Sequence, residues 1–271
     1  MDIFVIVLLS LLAVLLIVYI FAVVPRLKKR KFKIPEVGYA HRGLWNEERP
    51  ENSAAAFSAA VERGYGIETD VRLTKDKVPV LFHDDTLTRM CGDDRRVIDC
   101  TYEELSELYL KKSTEKIPTL KDILEIAGGK VPLLIELKGE DMNTELCDVI
   151  APMIDSYGEM LTVESFNPIL LSRMKKLRPE MPRGQLVTNL LKKGFPAGGK
   201  GKAFMLTHLL SNFFSRPDFI AYDIAFPMDP SVWVCIKIFR AVPVIWTAKG
   251  KEEIKAFNDK GICPIFEEPE K

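Results

Sequence analysis

The chain has 271 residues, 47% of them apolar and 28% charged, with 16 Gly, 17 Pro and 5 Cys, a profile that excludes a collagen-like, low-complexity or wholly disordered polypeptide and suits one large domain or two small ones. Lys plus Arg and Asp plus Glu both number 38, but residues 1–33 hold six bases and one acid, leaving 32 basic against 37 acidic residues in the remainder. A slightly acidic body argues against nucleic acid as the main partner, since that calls for a basic face.

Residues 3–24 form an uncharged run of 22 broken only by Ser10 and Tyr19, long enough to cross the roughly 30 Å hydrocarbon core of a bilayer as a helix. The start Met1-Asp2 and the end Ala22-Val23-Val24-Pro25 lack the basic opening and small-residue cleavage site of a secretory signal. A retained anchor over residues 1–25 is therefore expected. Arg26, Lys28, Lys29, Arg30, Lys31 and Lys33 follow in a basic linker, residues 26–36, and the positive-inside rule places that flank in the cytoplasm. The expectation is a single-pass cell-membrane protein with its body in the cytoplasm. The same bases either touch anionic headgroups or serve only as the topology signal.

From residue 34 onward there is no Ser/Gly linker, no low-complexity tract and no internal repeat, so residues 37–271 read as one domain. Strand-like runs fall at 37–41, 66–71, 78–83, 131–137, 161–165, 184–187, 219–224, 242–247 and 261–266, separated by amphipathic stretches such as 53–63 and 168–177. This alternation predicts parallel βα units, and Val131-Pro132-Leu133-Leu134-Ile135 has the continuous apolarity of a strand buried on both faces. Eight or so units in about 240 residues predict a TIM (β/α)8 barrel, an α/β fold. Nine runs for eight places mean that one is no strand or lies outside the barrel. Residues 84–120 are too long for a simple loop and predict a small insertion over the barrel mouth, with a helix at 102–110. Cys91, Cys100, Cys147, Cys235 and Cys263 are scattered without Cys-x-x-Cys spacing, so they read as reduced thiols used as small hydrophobes, with neither a zinc site nor a disulfide framework.

Chemistry gathers at the ends of the early strands, where barrel enzymes build their sites: His41-Arg42, Glu68-Thr69-Asp70, His83-Asp84, Glu136-Leu137-Lys138 and Ser165-Phe166. Residues two apart on a strand share a face, so Glu68 goes with Asp70 and Glu136 with Lys138. If that face is the barrel interior, three carboxylates converge, and either their pKa values rise or a cation sits among them. An all-oxygen set suits one hard divalent ion, Mg²⁺, Ca²⁺ or Mn²⁺, better than zinc. His41 and His83 make an acid/base pair, and Arg42 and Lys138 add charge suited to a phosphate. Taken singly, each has an ordinary alternative: an acidic pair on a solvated edge, a surface salt bridge, a satisfied structural histidine, the last being the reading for His208. Their coincidence at four strand ends favours metal-assisted phosphoryl transfer.

These residues carry a family resemblance. Ala40-His41-Arg42-Gly43, Arg49-Pro50-Glu51-Asn52-Ser53, Ile67-Glu68-Thr69-Asp70-Val71 and Val80-Leu81-Phe82-His83-Asp84-Asp85-Thr86-Leu87-Thr88-Arg89 resemble the glycerophosphodiester phosphodiesterase family in order and spacing. Ile117-Pro118-Thr119-Leu120, Ile135-Glu136-Leu137-Lys138, Glu164-Ser165-Phe166 and Ile245-Trp246-Thr247 continue the likeness to about residue 250. The resemblance implies a TIM barrel with an inserted segment, a divalent cation, and hydrolysis of glycerol phosphodiesters to glycerol 3-phosphate and an alcohol. It implies Glu68, Asp70 and Glu136 as metal ligands, His41 and His83 as the catalytic pair, and Arg42 and Lys138 as phosphate contacts. Glu51 and Asn52 fall in a Pro-Glu-Asn signature near the site, Glu51 as a further ligand or an orienting group. Trp246 matches an aromatic that walls the substrate pocket, with a place in the barrel core as its alternative.

The chain departs from the family's pattern late. Ala248-Lys249 replaces a small residue and Asn, the closing strand is matched only loosely by Ile265-Phe266-Glu267-Glu268-Pro269, and residues 194–214 have no counterpart. These departures bear on the pocket for the leaving alcohol. The membrane anchor makes a lysophospholipid an alternative substrate to a soluble glycerophosphodiester. Two rival readings are a glycosidase, which would leave both histidines and Lys138 idle, and a membrane-tethered barrel without catalysis that binds lipid headgroups or a protein. No motif specifies an oligomeric state.

Overall fold

The computed structural model describes residues 2–28, 30, 32–139, 142–194, 198–226 and 229–268. Lys29 and Lys31 of the basic flank, 195–197 of the stretch 194–214, and Pro269 lie outside the described residues. The strands are β1 (Tyr39–His41), β2 (Gly66–Leu73), β3 (Pro79–Leu81), β4 (Leu133–Leu137), β5 (Leu161–Ser165), β6 (Arg183–Val187), β7 (Phe219–Asp223), β8 (Val242–Lys249) and β9 (Cys263–Glu267). Eight of them pair in parallel in the order β1, β2, β4, β5, β6, β7, β8, β9, and β9 closes back on β1, so the chain forms a TIM (β/α)8 barrel.

The run at 78–83 is the one outside the ring. β3 pairs antiparallel with the outer half of β2, Val71 opposite Leu81 and Leu73 opposite Pro79. Only a tight turn joins the two, held by the Val78 N–H donating to Thr74 Oγ1 at 2.9 Å, whereas parallel neighbours need a crossover of a dozen or more residues. β2 therefore rises beyond the rim, and β3 returns until the Phe82 N–H reaches the Asp70 carbonyl at 3.0 Å. His83 is delivered to the rim from above, not from the end of a barrel strand.

Alternation along each strand separates two cores. Ile67 and Val71 of β2 and Leu133, Ile135 and Leu137 of β4 face outward and pack against helices through Phe57, Ala60, Ile123 and Leu171. Tyr39, Leu134, Leu186, Phe219, Ala221, Val244 and Ile265 fill the lower barrel interior, and the polar residues of the same inward face lie above them. A third cluster of Val80, Phe82, Leu87, Met90, Val97, Cys100, Leu105, Leu110 and Ile117 gives the segment after β3 a core of its own. Within it, helix Tyr102–Ser106, shorter than the expected 102–110, starts in a capping box between Thr101 and Glu104. The cysteines are all free thiols, and four of the five are buried.

The N-terminal helix α1 (Ile3–Val23) is long and apolar enough to cross a membrane, and the body of the protein leaves it bare. Only its last turn touches the barrel. Beyond it, Arg26 and Arg30 form ion pairs with Asp218 at 3.7 and 2.9 Å, so half of the four described bases among the six in this flank are engaged by the barrel's lower end.

Candidate active site

The site begins with a backbone turn. β1 ends at His41, and the next two residues take left-handed conformations, Arg42 at φ 58° and Gly43 at φ 80°. A side chain on residue 43 would meet the backbone of Ala56 at 2.9 Å, so only glycine allows this approach. The turn is locked to the Pro-Glu-Asn segment, because the Asn52 N–H donates to the Arg42 carbonyl at 2.9 Å and Asn52 is itself left-handed at φ 55°, a conformation that Asn tolerates better than most residues. Ser53 then caps helix Ala54–Glu62 by accepting from the Ala56 N–H at 3.1 Å. Two distant sequence motifs thus become one rigid corner.

Strand register assembles the acids. His41 pairs with Glu68 between β1 and β2, Asp70 pairs with Glu136 between β2 and β4, and Glu136 pairs with Glu164 between β4 and β5. Glu68, Asp70 and Glu136 are buried and each offers a carboxylate oxygen within 4.8 Å of the others. Burial, and then the neighbouring Asp70 and Glu136 carboxylates, push the Glu68 carboxyl well above its usual range. Burial also raises Glu136, against the pull of Lys138. Asp70 behaves oppositely: burial would raise it, but Lys138, His83 and Arg42 together hold it well below the usual carboxylate range.

Two cations and two amides are shared among these acids. Lys138 Nζ lies 2.9 Å from Asp70 Oδ1 and 2.7 Å from Glu136 Oε1. The Arg42 N–H donates to Glu68 Oε2 at 3.0 Å, and its Nε lies 3.4 Å from Asp70 Oδ2. Asn52 Nδ2 donates to Asp70 Oδ2 at 2.9 Å, its orientation fixed by Thr69 Oγ1 donating to Asn52 Oδ1 at 2.7 Å. Glu51 accepts from Arg42 Nη1 at 2.8 Å and from both terminal nitrogens of Arg89 at 2.8 and 2.6 Å.

Each candidate histidine has a carboxylate behind it. His41 Nδ1 is 2.9 Å from Glu267 Oε1, and His83 Nδ1 is 2.7 Å from Asp84 Oδ1. Such a pair fixes the ring through Nδ1. Burial lowers the pKa of His41 against the opposing Glu267 hydrogen bond, and burial, opposed by Asp70 and reinforced by Lys138 and Arg42, brings His83 to about 4. Arg72 donates twice to the His83 carbonyl, at 3.1 and 2.8 Å, and pins the backbone there.

A cleft of about 420 Å³ opens beside the acids, lined by His83, Glu136 and Lys138 on one side and by Phe166, Leu190 and Leu206 on the other. Phe166 supplies its aromatic wall. Trp246 stands edge-on behind Phe166 at 5.7 Å, its Nε1 donating to the Ala221 carbonyl at 3.1 Å. His208 lies apart, its Nδ1 2.7 Å from Asp229 Oδ2 and its ring 4.4 Å from that of Phe204.

Three participants were not among the candidate site residues. Glu267 backs His41 across 226 positions of sequence, Arg89 ties Glu51 to Asp84, and Glu164 is buried with Oε2 unpaired. Burial, then Glu68 and Glu136, lift Glu164 well above the usual carboxylate range. The inward two-residue alternation from Thr162 to Glu164 was the available signal for the last of these.

The donor set is all oxygen, buried, and short of positive charge, since Arg42 and Lys138 face Glu68, Asp70, Glu136 and Glu164. That chemistry fits a hard divalent cation.

Comparison with known proteins places this arrangement. The model of the glycerophosphoryl diester phosphodiesterase family matches residues 41–199. The glycerophosphodiester phosphodiesterase of Caldanaerobacter subterraneus subsp. tengcongensis is 37% identical over 158 residues, covering 54% of this chain and 65% of that one. That of Bacillus altitudinis is 36% identical over 165 residues, covering 56% of this chain and 67% of its own. The chain thus aligns with less than two thirds of the length of the first relative, and with 44% of glycerophosphodiester phosphodiesterase 1 of Mus musculus. Among solved structures, a phosphodiesterase of Oleispira antarctica in complex with the product sn-glycerol-3-phosphate superposes with a TM-score of 0.68 at 26% identity, covering 84% of this chain and 91% of that one.

Proposed function

The chain belongs to the glycerophosphoryl diester phosphodiesterase family, and from that premise we propose that it hydrolyses glycerol phosphodiesters to glycerol 3-phosphate and an alcohol. The observation that carries this reading is the convergence, at one rim of the barrel, of a carboxylate trio, two phosphate-suited cations beside it and two carboxylate-backed histidines, with His83, Glu136 and Lys138 of this set lining the cleft.

Glu68, Asp70 and Glu136 would hold one divalent cation, which would supply electrophilic stabilisation of charge on the phosphate. Arg42 and Lys138 neutralise the phosphate oxygens. The lowered pKa values leave both imidazoles neutral near pH 7, each able to take a proton at Nε2. One histidine removes the proton of the glycerol 2-hydroxyl as that oxygen attacks phosphorus, and the other, having taken a proton from bulk water, gives it to the departing alkoxide. Water then opens the cyclic glycerol phosphate with the two roles exchanged. Phosphorus gains one P–O bond and loses one in each half.

The apolar side of the cleft, Phe166, Leu190 and Leu206, supports a lysophospholipid as a second substrate, its acyl chain along that wall. The apolar helix α1 and the basic flank support a single-pass membrane protein with its body in the cytoplasm. The test uses the full chain in detergent micelles, stripped by chelator, offered soluble glycerophosphodiesters and lysophospholipids with Mg²⁺, Ca²⁺ or Mn²⁺ restored singly. Cation-dependent release of glycerol 3-phosphate, or of its acylated form from lysolipid, is the expected result. A folded protein that releases neither with any cation overturns the reading.

A further inference from the structure

The last turn of α1 runs parallel to the helical segment after β7. Tyr19 Oη is 3.0 Å from Ser231 Oγ, and one turn later the Val23 carbonyl accepts from Asn212 Nδ2 at 2.9 Å and from Cys235 Sγ at 3.3 Å. The segment Pro230–Trp233, continued by Val234–Ile238, descends from the catalytic rim, where β7 ends, to the opposite rim, where β8 begins. Pairing 19 with 231 and 23 with 235 gives α1 the same descent. The chain accordingly leaves α1 at the lower end, the Arg26 N–H donating to the Pro217 carbonyl at 2.9 Å, just before β7. The bare part of α1, from Ile3 to Val18, therefore projects beyond the catalytic rim.

Those 16 residues span about 24 Å, less than the roughly 30 Å of a hydrocarbon core. A bilayer crossed by them has no room to stand off from the rim. The rim there is dressed for such a contact. Residues 189–206, between β6 and β7, hold four lysines and no acid, and Leu191 and Phe204 of this segment are exposed, as are Ile224 and Trp233 beside it. Cationic side chains mixed with exposed leucine and aromatic groups are the composition of interfacial segments. The segment also supplies Leu190, Lys202 and Leu206 to the catalytic cleft.

We propose that residues 189–194 and 198–206, with Trp233, form a docking rim that lies in the headgroup layer of the membrane crossed by α1, so that the catalytic cleft opens onto the lipid surface. The partner is a bilayer carrying anionic lipids. The proposal rests on the reading of α1 as a membrane span. To test it, the full chain is reconstituted in vesicles of phosphatidylcholine and phosphatidylglycerol, with photoreactive benzoylphenylalanine replacing Phe204, Leu12 or Lys130 one at a time. Lys130 is exposed at the opposite end of the barrel, just before β4. Circular dichroism checks that each variant is folded, and lipid adducts are read by mass spectrometry, with no turnover needed. Adducts from positions 204 and 12 and none from 130 are expected. Adducts from 12 without 204, or equally from 204 and 130, overturn the docking rim while leaving the span and the proposed activity intact. No adduct from 12 removes the span and the rim together.

Discussion

Asp70 and Glu136 face each other in register across β2 and β4, and one ammonium, Lys138 Nζ, lies within 2.9 Å of both. Lys138, with His83 and Arg42, holds Asp70 ionised, but Glu136 and Glu68 remain raised because burial and mutual repulsion exceed the positive charge at hand.

Cation addition should stabilise the chelated protein. At a hundredfold excess over Kd the linkage gain is about 2.7 kcal/mol, read as a rise in Tm with Mg²⁺, Ca²⁺ or Mn²⁺. Asp70→Asn should abolish the rise. A wild-type Tm unmoved by all three ions would remove the cation site.

Both histidines should be required for turnover. His41→Ala and His83→Ala are each expected to lower kcat by about 10²- to 10⁴-fold, with unchanged circular dichroism. Glu267→Gln should lower kcat less while preserving KM, because it disturbs the orientation of His41 and not substrate contact. Wild-type rates in either alanine variant would refute two-histidine catalysis.

The depressed pKa of His83 predicts a pH-dependent contribution to folding. An unfolded histidine takes its proton near 6.5, the folded His83 only at about 4, so between those values the unfolded state binds more protons and this residue's contribution rises with pH. It is present above about 6.5 and lost as pH falls towards about 4. The raised carboxyls of Glu68 and Glu136 act in the opposite sense, so the measurement is the difference between metal-free wild type and His83→Asn in urea unfolding from pH 4 to 7. That difference should grow in favour of wild type as pH rises, and a flat difference would contradict it.

Gly184 on β6 leaves room for the ring of Phe219 inside the barrel, where an added Cβ would come within 1.9 Å of it. Gly184→Ala should cost about 1–3 kcal/mol by overpacking, seen as a lower urea midpoint at unchanged slope. An unchanged midpoint would show that the ring moves aside freely.

Much of the fold was legible because its signals are local. Apolar strand runs such as 131–135, and amphipathic stretches such as 53–63 and 168–177, are written within a few residues of themselves. The sequence leaves open which of the nine runs lies outside the ring. The strand run at 78–83 looks alike whether it closes a barrel or folds back on β2, and the length of its connection decides between the two.

The sequence by itself determined the α/β alternation, the uncharged span of α1, and the residue types that gather at the strand ends, since each depends on neighbours within reach of one helix turn or one strand. Only the tertiary structure decided which of them meet. Closure of β9 onto β1 brings Glu267 to His41, the register of β2 on β4 sets Asp70 against Glu136, and the docking of Val23 against Asn212 and Cys235 sets the direction of α1 relative to the catalytic rim. These relations join residues far apart in the chain, and their geometry comes into being only when barrel closure and the packing of the core fix the distances between them.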